Sequence, residues 1–125
     1  MAQQSIRPQV IKRIEADLSD RFRVIDNTGA EKLLVAGQFP DVLLYRKMGP
    51  ISNDLLFTLK VENGGELVDS LPQWKELASA PSTFYIVVPQ NKLDEAKKLV
   101  SATGVKAKFA WYQVAGDDVV KVSYE

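Results

Sequence analysis

A mixed α/β fold, with a central mixed β-sheet flanked by helices, follows from three features of the sequence. Residues 5–19 and 93–100 place apolar side chains three and four apart, the spacing of a helix with one buried stripe. Residues 41–45, 55–61 and 83–88 are instead short, nearly continuous runs of aliphatic and aromatic residues, suited to strands covered on both faces. A helical stretch at 70–78 lies between the last two runs. Two apolar strands joined by a helix imply a parallel pair with a helical crossover.

Each element has its own signals. In the first helix Ile6, Val10, Ile11, Ile14 and Leu18 form the stripe, Ser5 is placed to cap the start, and Pro8 is tolerable in the first turn. Residues 22–26 alternate apolar and polar and read as a strand, closed by the turn at 27–29. A second short strand is expected at 31–36, and residues 37–40 break the pattern. Residues 47–53 are a polar loop containing Gly49 and Pro50, and residues 63–65 a turn.

The helix at 70–78 takes Ser70 as its cap and Pro72 in its first turn, with Leu71, Trp74, Leu77 and Ala78 on one face. The helix at 93–100 turns Leu93, Ala96, Leu99 and Val100 inward and ends at Thr103-Gly104. The last strands, 107–114 and 119–124, flank a turn at 116–118.

At 125 residues the chain fits one domain, 1–125, and 46% hydrophobic with 26% charged residues is ordinary for a globular protein. Lysine plus arginine and aspartate plus glutamate both number 16, so there is no net positive field and any nucleic-acid contact must be local. The absence of cysteine and histidine excludes thiol chemistry, imidazole bases and the usual zinc ligands. An oxygen-only site suits magnesium or manganese. No apolar run follows a basic start and none approaches the ~20 residues of a membrane span, so a cytoplasmic protein is expected.

The hydrophobic strand at 55–61 ends in the charges Lys60 and Glu62, and Asp41 stands at the mouth of the strand before it. Antiparallel neighbours bring such ends side by side, so Asp41 and Glu62 either form the minimum donor pair for a hydrated magnesium ion or are solvated strand-end acids. Lys60 lies ~6.6 Å from Glu62 along the same strand face. It either assists a nucleophilic water or makes an edge-of-sheet ion pair with Asp41. Trp74 reads as core, and Lys75 as solvated surface. Trp111, Tyr112 and Tyr124, interleaved with Lys106, Lys108 and Lys121, fit either a stacking platform for single strands or a sheet with one buried and one solvated face.

Several of these stretches resemble the PD-(D/E)XK nuclease superfamily. They are the helix carrying Glu15, Gln38-Phe39-Pro40-Asp41-Val42-Leu43-Leu44, Leu56-Phe57-Thr58-Leu59-Lys60-Val61-Glu62-Asn63, the helix with Gln73-Trp74 and the strand at 84–89, within residues 5–114. The resemblance implies a restriction-endonuclease-like fold, Mg2+ or Mn2+ as cofactor in an active member, and nucleic acid as partner. It puts Asp41 at the metal-binding aspartate after proline, Glu15 at a helical acid many members carry, and Gln73 at a glutamine that points into the site in several members.

The acid-x-lysine triplet departs from the pattern. With Val61 in the apolar middle slot, Lys60 falls on the metal-binding acid and Glu62 on the lysine that assists the attacking water. In the other register Glu62 is the acid and Gly64 stands where lysine belongs, leaving the lysine missing or supplied by Lys60. The expectation is a nuclease-like domain with an altered or inactive site, kept as a nucleic-acid-binding or interaction module. The alternatives are an active nuclease using Asp41, Glu62 and Lys60, and an assembly protein whose exposed surface makes a homodimer.

Overall fold

The computed structural model describes residues 6–28, 35, 37–46, 55–62, 66–116 and 118–125. Its elements run α1 (Ile6–Leu18), β1 (Phe22–Asp26), β2 (Val42–Arg46), β3 (Leu55–Val61), α2 (Leu71–Ala78), β4 (Thr83–Pro89), α3 (Leu93–Thr103), β5 (Lys108–Ala115) and β6 (Asp118–Tyr124). The strands form one sheet in sequence order, β1 to β6. β1, β2 and β3 are antiparallel neighbours, β3, β4 and β5 are parallel, and β6 returns antiparallel on β5. This is the mixed α/β sheet expected from the sequence.

Parallel neighbours need crossovers, and α2 and α3 supply them. Two crossovers of one hand, stepping the same way along the sheet, put both helices on one face. Trp74, Leu77 and Ala96 there pack against Phe84, Ile86, Val88 and Phe109. On the opposite face Val10, Ile11, Ile14 and Leu18 of α1 pack on Val42, Leu44, Leu59, Val61, Val87, Ala110, Tyr112, Val119 and Val122. Strand β3 serves both layers because its side chains alternate.

Most differences from the sequence expectation are shifts of one or two residues at element ends. Ser70 is a larger one. It lies in a 3-10 turn over Leu67–Ser70 and makes no side-chain cap to α2. Its hydroxyl donates to Glu62 instead. Gly104 closes α3 at φ 73, a left-handed conformation natural to glycine. Of the strand expected at 31–36, Val35 forms an isolated bridge with Gln38. The cap at Ser5, residues 31–34 and 36, the loop at 47–53, the turn at 63–65, and Gly29 and Asp117 of the other two turns lie outside the described residues. No helix among the described residues is long and apolar enough to cross a membrane.

Leu59 is 1% exposed at the centre of the sheet. Leu59→Ala is expected to cost about 2–5 kcal/mol, read in urea unfolding as a lower midpoint with an unchanged slope.

Candidate functional site

The site is built where β2 begins and β3 ends. Proline has no N–H, so Pro40 cannot join a ladder through its nitrogen. Its carbonyl instead accepts the side-chain amide of Asn27 at 2.9 Å. Asp41 is then held through its own backbone, its N–H donating to Leu59 O and its carbonyl accepting from Asn27 N–H, both at 2.9 Å. Continuing the β2–β3 register one pair beyond Val42 and Leu59 sets Asp41 across from Lys60.

The Asp41 carboxylate is 8% exposed and fully engaged. Its Oδ2 accepts Val61 N–H at 2.7 Å and faces Lys60 Nζ at 3.4 Å, and its Oδ1 lies 4.0 Å from the guanidinium of Arg7 in the first turn of α1. The ion pair expected at a sheet edge is therefore real, but it is buried and interior, since β3 has strands on both sides. Asp41 has two cationic neighbours for one carboxylate. The Arg7 side chain is 37% exposed, and its Nε is buried without an acceptor.

Glu62 is spent differently. Its Oε1 accepts the Ser70 hydroxyl at 2.8 Å and its Oε2 the Trp74 indole N–H at 3.1 Å. Its N–H donates to Val87 O at 2.7 Å, and its carbonyl accepts the Tyr112 hydroxyl at 2.7 Å. One residue thus ties the end of β3 to α2, β4 and β5. Burial raises the Tyr112 hydroxyl well above its ordinary value, and the nearby Glu62 carboxylate adds to this against a smaller opposing effect of Arg7.

Of the residues singled out from sequence, Asp41 and Lys60 are brought together and Glu62 is tied to α2. Trp74 is core as expected, and it, rather than its half-buried neighbour Gln73, reaches Glu62. Glu15 lies eight residues beyond Arg7, about 12 Å along α1, and the α1 residue beside Asp41 is Arg7. Asp41, Glu62 and Glu15 do not make a three-carboxylate centre. Among the described residues no group of three or more acids is placed to hold a metal ion. The physical reason is the partner set: an ammonium stands before Asp41, and both Glu62 oxygens already accept hydrogen bonds.

Lys75 is exposed, as expected. The late aromatic residues do not line one exposed surface. Tyr112 is buried on the α1 side and Trp111 packs on the α2–α3 side, while Tyr124 reaches Asp17 at 3.0 Å. Lys106, Lys108 and Lys121 are exposed. Sequence reasoning missed Asn27 and Arg7. A polar residue ending one strand and a cation in a helix's first turn carry no local sign of a shared partner.

Two outcomes check this geometry. Asp41→Asn and Lys60→Met are each expected to cost about 3–5 kcal/mol, because each leaves a buried charge unpaired. The double variant is expected to lose much less than the sum in a denaturation cycle. Tyrosine in the unfolded chain ionises near pH ~10, whereas folded Tyr112 keeps its proton to higher pH. The folded state therefore binds more protons above ~10, and stability falls as pH rises through that range. Tyr112→Phe is expected to flatten this decline in pH-dependent unfolding. Comparison with known protein families, curated proteins and solved structures finds no match to this chain, so the reading of the site rests on its own geometry.

Proposed function

We propose that the chain is a PD-(D/E)XK nuclease-like module in which an internal ammonium stands where a divalent cation would sit, and that it binds nucleic-acid backbone instead of cleaving it. One observation carries this reading: Lys60 faces Asp41 at 3.4 Å across the β2–β3 register, both side chains being about nine-tenths buried. In the resemblance described above that position belongs to a second metal-binding acid. A lysine there pairs with the Asp41 charge, which weakens the attraction for Mg2+ or Mn2+.

The neighbourhood favours an anion over a cation. Asp41 is flanked by Lys60 and by the part-exposed Arg7, while Glu62 directs its charge into hydrogen bonds from Ser70 and Trp74. A phosphate reaching Arg7 meets the exposed part of its guanidinium, the side chain being 37% exposed, and Arg is well suited to phosphate. With a net charge of zero the attraction is confined to this end of the sheet.

Fluorescence anisotropy with labelled single- and double-stranded DNA, with and without Mg2+ or Mn2+, tests the proposal. Salt-sensitive binding without cleavage is expected, with Arg7→Gln weakening it uniformly across sequences and lowering the salt slope by about 1. Metal-dependent cleavage abolished by Asp41→Ala would overturn it, as would a complete lack of binding at low salt.

A further inference from the structure

A second feature lies at the other end of α1. The helix stops at Leu18, and the sheet continues beyond its last turn. Phe22, Leu44, Phe57, Leu59, Tyr85 and Tyr124 line a pocket of about 260 Å³ there, with Arg21 and Glu125 also contributing. Phe57 is the middle of an aromatic row, edge-on to Phe22 at 5.5 Å and to Tyr85 at 5.7 Å between ring centroids. Such a wall presents ring faces and edges to a planar guest.

The rim charges decide what kind of guest fits. The Glu125 carboxylate is already engaged, accepting Phe109 N–H at 3.2 Å and pairing with Lys97 at 3.7 Å. Asp17 accepts the Tyr124 hydroxyl, and the Tyr85 hydroxyl donates to Glu125 O at 3.3 Å. Arg21 is different. Its guanidinium lies 6.0 Å from the Phe22 ring centroid, and among the described residues no carboxylate forms an ion pair with it. A cation without an ion-pair partner among the described residues therefore stands beside an apolar, aromatic pocket, with Glu125 on the same lining already paired to Lys97.

We infer that this pocket binds a small aromatic carboxylate of one or two rings, the rings against Phe22, Phe57 and Tyr85 and the carboxylate toward Arg21. Ring burial releases water from apolar surface, and the carboxylate gains a charge-assisted partner in Arg21. A pocket of this size holds such a molecule but not an extended chain, since cavities of about 150 Å³ already accept benzene. The site is independent of Asp41, which lies toward the opposite end of α1.

Isothermal titration of the full chain with naphthoate, and with naphthamide as its uncharged analogue, tests this without nucleic acid or metal. One naphthoate is expected per chain, bound about tenfold more tightly than the amide. NMR shift changes are expected at the rings of Phe57, Tyr85 and Tyr124. Arg21→Gln, an exposed position that leaves the core intact, is expected to erase the preference for naphthoate while the amide affinity stays the same. Absence of binding at millimolar naphthoate would overturn the inference. So would a preference for the acid that survives Arg21→Gln, or shifts centred on Asp41.

Discussion

A carboxylate taken out of water must be met by donors or an opposite charge, and at Asp41 both are provided by the next strand. Val61 N–H and the Lys60 ammonium reach it from β3, while its backbone is held by Leu59 and Asn27. Removing either charge would leave the other buried and unpaired, the costly case for ion pairs of this kind. The register between β2 and β3 is therefore fixed by charge as well as by apolar packing. A slip of one residue would turn Asp41 away from Lys60 and put Leu59 on the wrong face.

The end of β3 carries its charges without leaving them free. Its odd-numbered side chains, Leu59 and Val61, fill the α1 layer, while Lys60 and Glu62 alternate to the other side. Lys60 satisfies Asp41, and Glu62 collects Ser70 and Trp74 from the segment that leads into and forms α2. Buried polar networks favour one arrangement when their members are satisfied, and here both carboxylates are, the network's orphan being Arg7 Nε. Here the network joins α1, β2, β3, α2, β4 and β5 at one end of the sheet, the end where the nuclease-like reading places its site. The aromatic pocket beyond Leu18 is built on the α1 face toward the other end of the sheet, so the two features do not share residues.

Much of the fold was legible because it depends on local pattern. The three-and-four spacing of Val10, Ile11, Ile14 and Leu18 requires a helix with one buried stripe, and the apolar runs at β2, β3 and β4 require strands covered on both sides. The strand, helix, strand order over β3, α2 and β4 led to a parallel pair, as found. The pairing of Asp41 with Lys60 was legible as one of two alternatives, since strand ends that meet put their charges together. Ser70 stands at the N-cap position the sequence gives it but makes no side-chain bond to the helix, because a buried carboxylate eight residues earlier takes the hydroxyl that serine there usually lends to the backbone. Gln73 was favoured over Trp74 for contact with the site because tryptophan at helical spacing reads as packing; in the structure it both packs and donates.

The sequence by itself determined the element types, the order of the strands' hydrophobic faces, and the presence of charge at the end of β3, because periodicity and burial act over a few residues. Only the tertiary structure decided which charge meets which. Arg7, Asn27, Asp41, Lys60, Glu62, Ser70, Trp74 and Tyr112 come from distant parts of the chain, and their partners are chosen by sheet register and helix placement. Electrostatic and hydrogen-bond energies fall off over a few ångströms and depend on burial. Whether the charges at Lys60 and Glu62 face a metal, each other or the protein interior was therefore set only once β2, β3 and α2 had been brought together.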